Sequence, residues 1–279
     1  MKDHPLTPMR DSNLLRLLGS QTKRQIGHVP LDIVRKSGKH IGYALENIAT
    51  AGGAYAVIDA LTVEDLRELR WAAQGNVLFT GGSGIAVGLP ELFRSTNALG
   101  APATPEQPSM SGRKLVLAGS CSTATRAQID VAKINWPTRM INVHALAEGD
   151  AEIGAIIDWA MKQDEAKPIL LYSSADPAEV KEIQAQYSVT EAGEMVERAM
   201  GVIASNLHSS GFDRIVVAGG ETSGAVTTAL KPKTLRIAQE IAPGVPWTEA
   251  LGGAPLALAL KSGNFGGPNF FAEAFEALE

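Results

Sequence analysis

Residues 215–225 read Ile-Val-Val-Ala-Gly-Gly-Glu-Thr-Ser-Gly-Ala and predict a strand that turns directly into a helix. The apolar, β-branched first part is typical of a buried parallel strand. Gly219 and Gly220 permit a tight turn, and Thr222 or Ser223 can cap the helix that follows. Backbone N–H groups at such a helix start attract phosphate. Many α/β proteins place two glycines after a strand without binding anything, so the alternative is an ordinary βα turn.

The same succession of strand, loop and helix recurs along the chain and predicts an α/β fold with two domains and mostly parallel sheets. The first domain is predicted at residues 1–94 and the second at residues 113–279. Residues 95–112 carry three prolines and show no hydrophobic period. Such a segment is typical of an interdomain linker.

The individual elements are predicted from apolar periods and capping residues. In the first domain we expect helices at 9–18, 40–50 and 62–74 and strands at 54–61 and 76–80. In the second domain we expect strands at 114–118, 140–144, 169–173, 214–218, 235–237 and 256–261, and helices at 123–133, 150–163 and 191–209. Thr62 and Asp65 have the spacing of a capping box. The apolar stripe of the last helix can pack against the sheet or against another subunit.

Composition restricts the class of protein. A chain of 279 residues, 45% of them hydrophobic, can bury the core of one or two domains. A net charge of −5 disfavours nucleic acid or an anionic membrane as the main partner. The single cysteine, Cys121, excludes an internal disulfide and a cysteine-based metal cluster, which suits a reducing compartment. We find no signal-peptide pattern and no membrane-spanning run, so a cytoplasmic location is expected.

Small polar loops follow three of the strands predicted in the second domain. They are Gly119-Ser120-Cys121-Ser122, Gly219-Gly220-Glu221-Thr222 and Lys261-Ser262-Gly263-Asn264. Ligands of open α/β sheets bind at the carboxyl ends of the strands. If these strands lie side by side, their loops form one floor that can hold a nucleotide. For Ser120 and Ser122 the alternative is plain helix capping.

Two charged residues of these loops suit phosphoryl chemistry. Glu221 can hold Mg²⁺ through water or accept a hydrogen bond from a ribose, and the alternative is charge complementarity with the helix start. Lys261 can neutralise transferring phosphate oxygens, and the alternative is a surface lysine at a strand end. Cys121 has no histidine placed beside it by spacing, and we expect a small buried thiol.

Several familiar signatures are absent from the sequence. There is no GxxxxGK[ST] motif and no GxGxxG after a strand, which disfavours a P-loop ATPase and a dinucleotide-dependent dehydrogenase. The five histidines show no metal-binding spacing. No metal site built from protein side chains alone is therefore predicted.

Six segments, taken together, resemble the four-carbon acid sugar kinase family. They are, in chain order, HPLTPM at 4–9, TGGSG at 80–84, AGSCS at 118–122, GGETSGA at 219–225, EIAPGVPW at 240–247 and LALKSGNFGG at 258–267. Because they run almost from end to end in the expected order, they are far more specific than one glycine pair. Members of this family are ATP-dependent kinases of tetronate-type acids.

The resemblance implies ATP and Mg²⁺ as the ligands of the second domain. By position, the ATP contacts are Ser120, Ser122, Gly219, Gly220, Glu221, Thr222 and Gly263. Lys261 and Asn264 are further candidates for phosphate contact. His4, Gly82 and Ser83 fall in the half of the chain that would face the sugar acid. An alternative for His4 is a terminal loop residue.

The family pattern also begins with a strand that ends in an Asp-Asp-x-Thr-Gly loop, and no such segment occurs in this sequence. We therefore expect the first domain to be incomplete, and no catalytic base is named because the family's candidate belongs to that loop. The first hypothesis is a kinase, or its nucleotide-binding part, acting on the terminal hydroxyl of 3-oxo-tetronate, threonate or erythronate. The alternative is a non-catalytic nucleotide- or anion-binding module. An open sheet edge would favour a homodimer or a partner that supplies the missing segment.

Overall fold

The computed structural model describes residues 9–73, 78–173, 182–183 and 185–279, and the chain forms two compact units. The first unit is Met1–Ala103 and the second is Thr104–Glu279. Residues 96–112 are all described and contain no helix or strand. The boundary between the units falls inside the segment that the sequence predicts as a linker.

The first unit is built around a two-stranded parallel sheet. Its strands are β1 (Gln25–Val29) and β2 (Gly53–Ile58), and they pair in parallel because helices connect them. The helices are α1 (Leu14–Gly19), α2 (Leu31–Val34), α3 (Gly38–Thr50), α4 (Val63–Glu68) and α5 (Leu89–Ser95), with 3₁₀ turns at Leu69–Ala73 and Ser83–Ala86. A small core formed by Val29, Val34, Ile41, Leu69 and Ala72 holds these elements together.

The predicted capping box at the start of α4 is confirmed. Thr62 Oγ1 accepts a hydrogen bond from the Asp65 N–H at 3.2 Å, and the Asp65 carboxylate accepts one from the Thr62 N–H at 2.9 Å. Arg35 binds the same carboxylate at 2.9 Å. The Arg35 guanidinium, followed by the Leu61 N–H, holds the pKa of Asp65 well below its usual range. This network joins α2 to α4.

Two predictions for the first unit are corrected. The helix expected at 9–18 begins only at Leu14, because the Asn13 side chain caps the Arg16 N–H at 3.0 Å. The predicted helix start at Thr7 and Pro8 lies outside the described residues. The strand expected at 76–80 is not found over 78–80, and its first two residues also lie outside the description.

The second unit contains a seven-stranded sheet in the order β4-β5-β3-β6-β9-β8-β7. Its strands are β3 (Arg113–Ala118), β4 (Thr138–Met140), β5 (Ile169–Tyr172), β6 (Phe212–Ala218), β7 (Thr234–Ala242), β8 (Val245–Leu251) and β9 (Ala257–Lys261). The helices are α6 (Thr123–Ala132), α7 (Val143–Ala147), α8 (Ala151–Met161), α9 (Val189–Ser209), α10 (Gly220–Leu230) and α11 (Phe270–Glu276). Five strands are parallel and the β7–β8–β9 edge is antiparallel, which confirms the predicted mostly parallel α/β fold.

Helices cover both faces of this sheet. Leu115 and Leu117 of β3 pack in one core with α7, α8, α9 and α10. Val116 and Ala118, which point to the opposite face, pack in the other core with α6 and α11. The apolar stripe of α9 is buried against the sheet through Ala199, Met200, Ile203, Ala204 and Leu207. Of the two interpretations of that stripe, packing in the core is therefore confirmed.

Two predictions for the second unit are also corrected. The strand expected at 140–144 ends at Met140, because the Asn142 side chain accepts from the His144 and Ala145 N–H groups and starts helix α7. Strand β8 was not predicted, since Gly244 and Pro246 mark its start as a turn. Trp247 anchors β8 by donating its indole N–H to the Ala274 carbonyl at 2.6 Å.

Candidate functional site

The carboxyl ends of β3 and β6 form the switch point of the sheet. Helix α6 follows β3 and packs on one face, whereas α10 follows β6 and packs on the other face. The two helices therefore diverge above neighbouring strands and leave a crevice between their first turns. Crevices of this kind are where open α/β sheets bind ligands.

Three loops meet at this crevice. Ala118, Ala218 and Lys261 are register partners on β3, β6 and β9, which confirms that the three predicted strands lie side by side. The Gly119 and Ser120 N–H groups donate to the Ala218 carbonyl at 3.0 and 3.1 Å, and the Gly219 N–H donates to the Lys261 carbonyl at 2.9 Å. We call residues 119–122, 219–222 and 261–264 the loop floor. These backbone bonds fix its three parts to one another.

The central turn of the loop floor requires glycine. Gly219 has a φ of 136°, which side-chain-bearing residues rarely adopt, and a Cβ there would lie 2.9 Å from Thr222 Oγ1. Gly220 follows it at the start of α10, and a Cβ there would meet no atom within 4 Å. Gly220 and Glu221 are both exposed. The turn is therefore closely packed at Gly219 and unobstructed at Gly220.

The start of α10 has no side-chain cap, so the expectation that Thr222 or Ser223 caps it is wrong. Gly219 is the N-cap residue and carries no side chain. Thr222 is buried instead, and its Oγ1 fills the space where a Cβ on Gly119 would be, at 2.1 Å. The first N–H groups of α10 are consequently left without a side-chain acceptor at the positive end of the helix dipole.

The Gly263 carbonyl is the point at which the third loop is held. It accepts from Ser122 Oγ at 2.6 Å, from Thr125 Oγ1 at 2.9 Å and from Lys261 Nζ at 3.2 Å. Ser122 Oγ also accepts from the Thr125 N–H at 3.2 Å, which confirms the capping interpretation for this serine. A Cβ on Gly263 would lie 2.1 Å from Ser120 Oγ, so only glycine fits there.

The side chain of Lys261 points inward beneath the loop floor, and only 1% of the residue's surface is exposed. The alternative of a surface lysine is therefore wrong. The Lys261 ammonium donates to Thr125 Oγ1 at 3.1 Å, to the Gly263 carbonyl at 3.2 Å and to the Ser262 carbonyl at 3.3 Å. The Phe270 ring centroid lies 5.8 Å from Nζ. Burial lowers the pKa of Lys261 from 10.5 to about 8.

Sequence reasoning missed two buried polar side chains of α6. Gln128 Nε2 donates to the carbonyls of Phe265, Gly266 and Gly267 at 3.0, 3.1 and 3.0 Å, and Thr125 holds Gly263 and Lys261 as described above. Ser122, Thr125 and Gln128 recur every three residues and so share the inward face of α6. That polar row is the signal that could have found them. Together they hold residues 263–267, and Asn264 stands exposed at the surface of this loop.

The charged groups around the crevice are of both signs. Burial raises the pKa of Glu197 on α9, and the negative charges of Glu221 and Glu194 raise it further. Arg126 lies in the first turn of α6, and its buried Nε has no hydrogen-bond partner among the described residues. Within the part of the chain that the structure describes, no three His, Cys, Asp or Glu side chains cluster as a metal site. The Cys121 thiol is exposed, so the expected buried thiol is wrong.

The residues predicted on the sugar-acid side belong to the first unit. Gly82 precedes the 3₁₀ turn Ser83–Ala86, both Gly82 and Ser83 are exposed, and a Cβ on Gly82 would meet nothing within 4 Å. His4 lies outside the described residues. The role of these three residues in binding the acid stays a prediction.

Comparisons with known proteins agree with this geometry. Residues 115–271 match the model of a nucleotide-binding C-terminal domain family, and residues 1–89 match that of a sugar-binding N-terminal domain family. A 3-oxo-tetronate kinase of Pseudomonas fluorescens is 44% identical over the whole of this chain. The chain belongs to the four-carbon acid sugar kinase family. The resemblance inferred from the six sequence segments is thus confirmed.

A second curated relative and two solved structures are also similar to this chain. A 3-oxo-tetronate kinase of Burkholderia multivorans is 42% identical over 100% of this chain. The crystal structure of a Salmonella typhimurium LT2 protein has a TM-score of 0.79 and 36% identity and covers 100% of this chain and 66% of its own. That of a Haemophilus influenzae protein has a TM-score of 0.68 and 32% identity, covering 100% of this chain and 67% of its own. The chain spans 64% of the length of the Pseudomonas relative and 65% of the Burkholderia relative.

Among the described residues, no helix is both long enough and apolar enough to cross a bilayer.

Proposed function

We propose that this chain contains the nucleotide-binding part, and some of the acid-binding part, of an ATP-dependent kinase. Its acceptor is the terminal hydroxyl of a four-carbon sugar acid, and the names of the relatives favour 3-oxo-tetronate over threonate or erythronate. The observation that carries the proposal is the meeting of three glycine loops at the switch point of the sheet. An uncapped helix start opens onto the same place.

The loop floor supplies backbone donors for a polyphosphate. The open space above Gly220 lets a phosphate approach the first N–H groups of α10, which stabilise negative charge. Gly219, Glu221, Thr222 and the Ser120–Ser122 loop surround that position. Ser122 Oγ is committed to Gly263 and to its own helix, and Ser120 Oγ accepts a hydrogen bond from the Ser122 N–H at 3.2 Å. We therefore assign the contribution of the serine loop to backbone groups of residues 119–122.

The side chains present fit Mg²⁺ bound mainly by the nucleotide. Mg²⁺ normally keeps several waters and takes one or two carboxylates plus phosphate oxygens, so a full protein cage is not required. Glu221 is exposed in the first turn of α10, and Glu197 lies within reach of its charge. Bound there, Mg²⁺ would neutralise charge on the transferring phosphoryl group. Glu221 is the residue we assign to it.

We assign the binding of the sugar acid, and the pairing of any added chain segment, to the first unit. We assign His4, Gly82 and Ser83 to the acid-binding side by their place in the family pattern, and we assign no catalytic base. Within the described residues, β1 and β2 pair only with each other, which leaves open sheet edges. Such edges favour an added strand from a second copy or a partner segment. ATP as co-substrate and the lone cysteine fit the cytoplasm.

The test is calorimetric titration of the chain with ATP and Mg²⁺, comparing wild type with Gly220→Val. An added Cβ would meet no protein atom within 4 Å, so this variant should fold while its isopropyl group occupies the phosphate position. Gly253→Val is the matched control. Gly253 is equally unobstructed, and it lies in the loop before the amino end of β9, whereas the loop floor follows the carboxyl ends of the strands. Gly263→Val is a harsher second variant, since its Cβ would displace Ser120 Oγ.

We expect saturable binding by wild type and by Gly253→Val, and none by Gly220→Val. No binding by wild type, or equal binding by Gly220→Val, would refute the nucleotide site. The kinase assignment is tested separately by coupled ADP release with each of the three acids, supplying the remainder of a relative's chain if none is turned over. Failure of every acid under both conditions would refute it.

A further inference from the structure

Lys261 is a buried cation whose partners in the described structure are all neutral. Its three N–H donors are used by Thr125, Ser262 and Gly263, and the aromatic ring of Phe270 lies on another side. All of these groups are neutral, and among the described residues no carboxylate pairs with the ammonium. An ammonium without a counter-charge is costly to bury, so its retention next to a proposed anion site needs a reason.

The ammonium cannot touch a nucleotide while it holds these bonds, but its charge can reach one through a peptide group. The Gly263 carbonyl points inward to three donors: Ser122 Oγ, Thr125 Oγ1 and Lys261 Nζ. The described residues contain no cis peptide bond, and the C=O and N–H of a trans peptide point in opposite directions. The Asn264 N–H therefore points outward from the loop floor.

The outward N–H is available to an anion. Asn264 is exposed, and no acceptor for its N–H is found within the part of the chain that the structure covers. A cation that binds the carbonyl end of a peptide polarises the group and strengthens its N–H as a donor. Lys261 is thus placed to act on a ligand from behind the loop.

We propose that Lys261 is a positioning residue that acts on the nucleotide through the Gly263–Asn264 peptide, and that the bound polyphosphate supplies the missing counter-charge, so that ATP binding takes up a proton. The proposal deepens the proposed function and rests on it.

The expected pH dependence follows from the burial of Lys261. Its pKa is lowered to about 8 in the ligand-free protein, whereas a bound polyphosphate favours the charged form and raises that pKa. Affinity is therefore full below about pH 8, where Lys261 is already charged, and declines above it. Above that pH the loss should be about tenfold per pH unit until the pKa of the complex is reached.

The experiment is calorimetric titration with ATP and Mg²⁺ between about pH 7.5 and 9.5, where ATP has lost its last proton, in two buffers of different ionisation enthalpy. Lys261→Arg keeps a charge that does not titrate in this range, and Lys261→Met removes it. Lys233→Met is the control, because Lys233 is an exposed lysine outside the loop floor. Asn264→Pro removes the outward N–H, and Asn264→Ala keeps it.

We expect wild type and Lys233→Met to lose affinity as pH rises and to show proton uptake, while Lys261→Arg and Lys261→Met show neither. Asn264→Pro should weaken binding at least tenfold more than Asn264→Ala. If Lys261→Met does not fold, the wild-type slope and the asparagine pair still decide. ATP binding with no slope in wild type, or equal affinities of the two Asn264 variants, would overturn this inference and leave the nucleotide site standing. Absence of ATP binding at every pH would overturn both.

Discussion

Thr125 and Lys261 meet beneath the loop floor, where the lysine ammonium donates to Thr125 Oγ1 at 3.1 Å while the threonine hydroxyl donates to the Gly263 carbonyl at 2.9 Å. Both side chains are buried. One hydroxyl therefore links helix α6, the end of β9 and the third glycine loop. Its removal should affect stability and nucleotide binding together.

Thr125→Val keeps the shape of this side chain and removes its hydroxyl. The change leaves the Lys261 ammonium and the Gly263 carbonyl each short of a partner, so we expect the free energy of unfolding to fall by about 1–3 kcal/mol. ATP affinity should also fall, because Gly263 loses one of its three donors. Urea unfolding and calorimetry measure the two effects. Thr125→Ser retains the hydroxyl and should recover most of both losses; a valine variant as stable as wild type would contradict the linkage.

Gly219→Ala should destabilise the protein, whereas Gly220→Ala should not. Gly219 has a φ of 136°, and a Cβ would stand 2.9 Å from Thr222 Oγ1. Backbone strain of this kind costs about 1–3 kcal/mol. Gly220 is in helical conformation with open space around it, so alanine there should be neutral or stabilising by up to about 1 kcal/mol. Thermal unfolding of the two variants provides the comparison, and equal midpoints would show that the turn is not strained.

The main features of the fold were predictable because they follow from local rules. Residues 215–225 gave the strand β6 and helix α10 directly, since an apolar run, two glycines and a polar helix start leave few other conformations. The capping box at Thr62 was equally readable. The strand predicted at 140–144 was wrong, because Asn142 caps a helix that begins within this apolar sequence. Strand β8 was missed because Pro246 is more typical of a turn than of a strand.

The candidate site was predictable only in part. Three adjacent strand ends with small polar loops could be inferred, because parallel strands of one sheet place their carboxyl ends at the same edge. The direction of each side chain could not. Lys261 turns inward because Thr125 and the Gly263 carbonyl lie beneath it, and Thr222 turns inward to fill the space beside Gly119. Those contacts join residues up to 136 positions apart and have no local signal.

Substitution of Arg126 should weaken ATP binding without lowering the stability of the protein. Arg126 lies in the first turn of α6, which begins directly after Ser122 of the loop floor, and in the described part of the chain its buried Nε has no hydrogen-bond partner. An arginine that lacks an internal partner but borders an anion site suits a phosphate or ribose contact. We expect Arg126→Met to weaken ATP binding by about tenfold or more while the unfolding midpoint stays within a degree or two of wild type. Arg126→Lys should recover part of the affinity. Loss of stability with unchanged affinity would assign Arg126 to packing instead.

The burial of Lys261 should also affect how the stability of the ligand-free protein depends on pH. Burial lowers its pKa from 10.5 in the unfolded chain to about 8 in the folded protein. Between these two values the unfolded state binds more protons than the folded state, so this residue adds stability as pH rises through the window. Below about pH 8 the lysine is charged in both states, so burying the charge lowers the free energy of unfolding by its full amount.

Wild type should therefore gain stability relative to Lys261→Met between about pH 8 and 10.5. Taking the difference between the two proteins cancels the titration of the other lysines and tyrosines, and urea unfolding at several pH values measures it. A difference that stays constant over this range would show that Lys261 is not desolvated in the folded state.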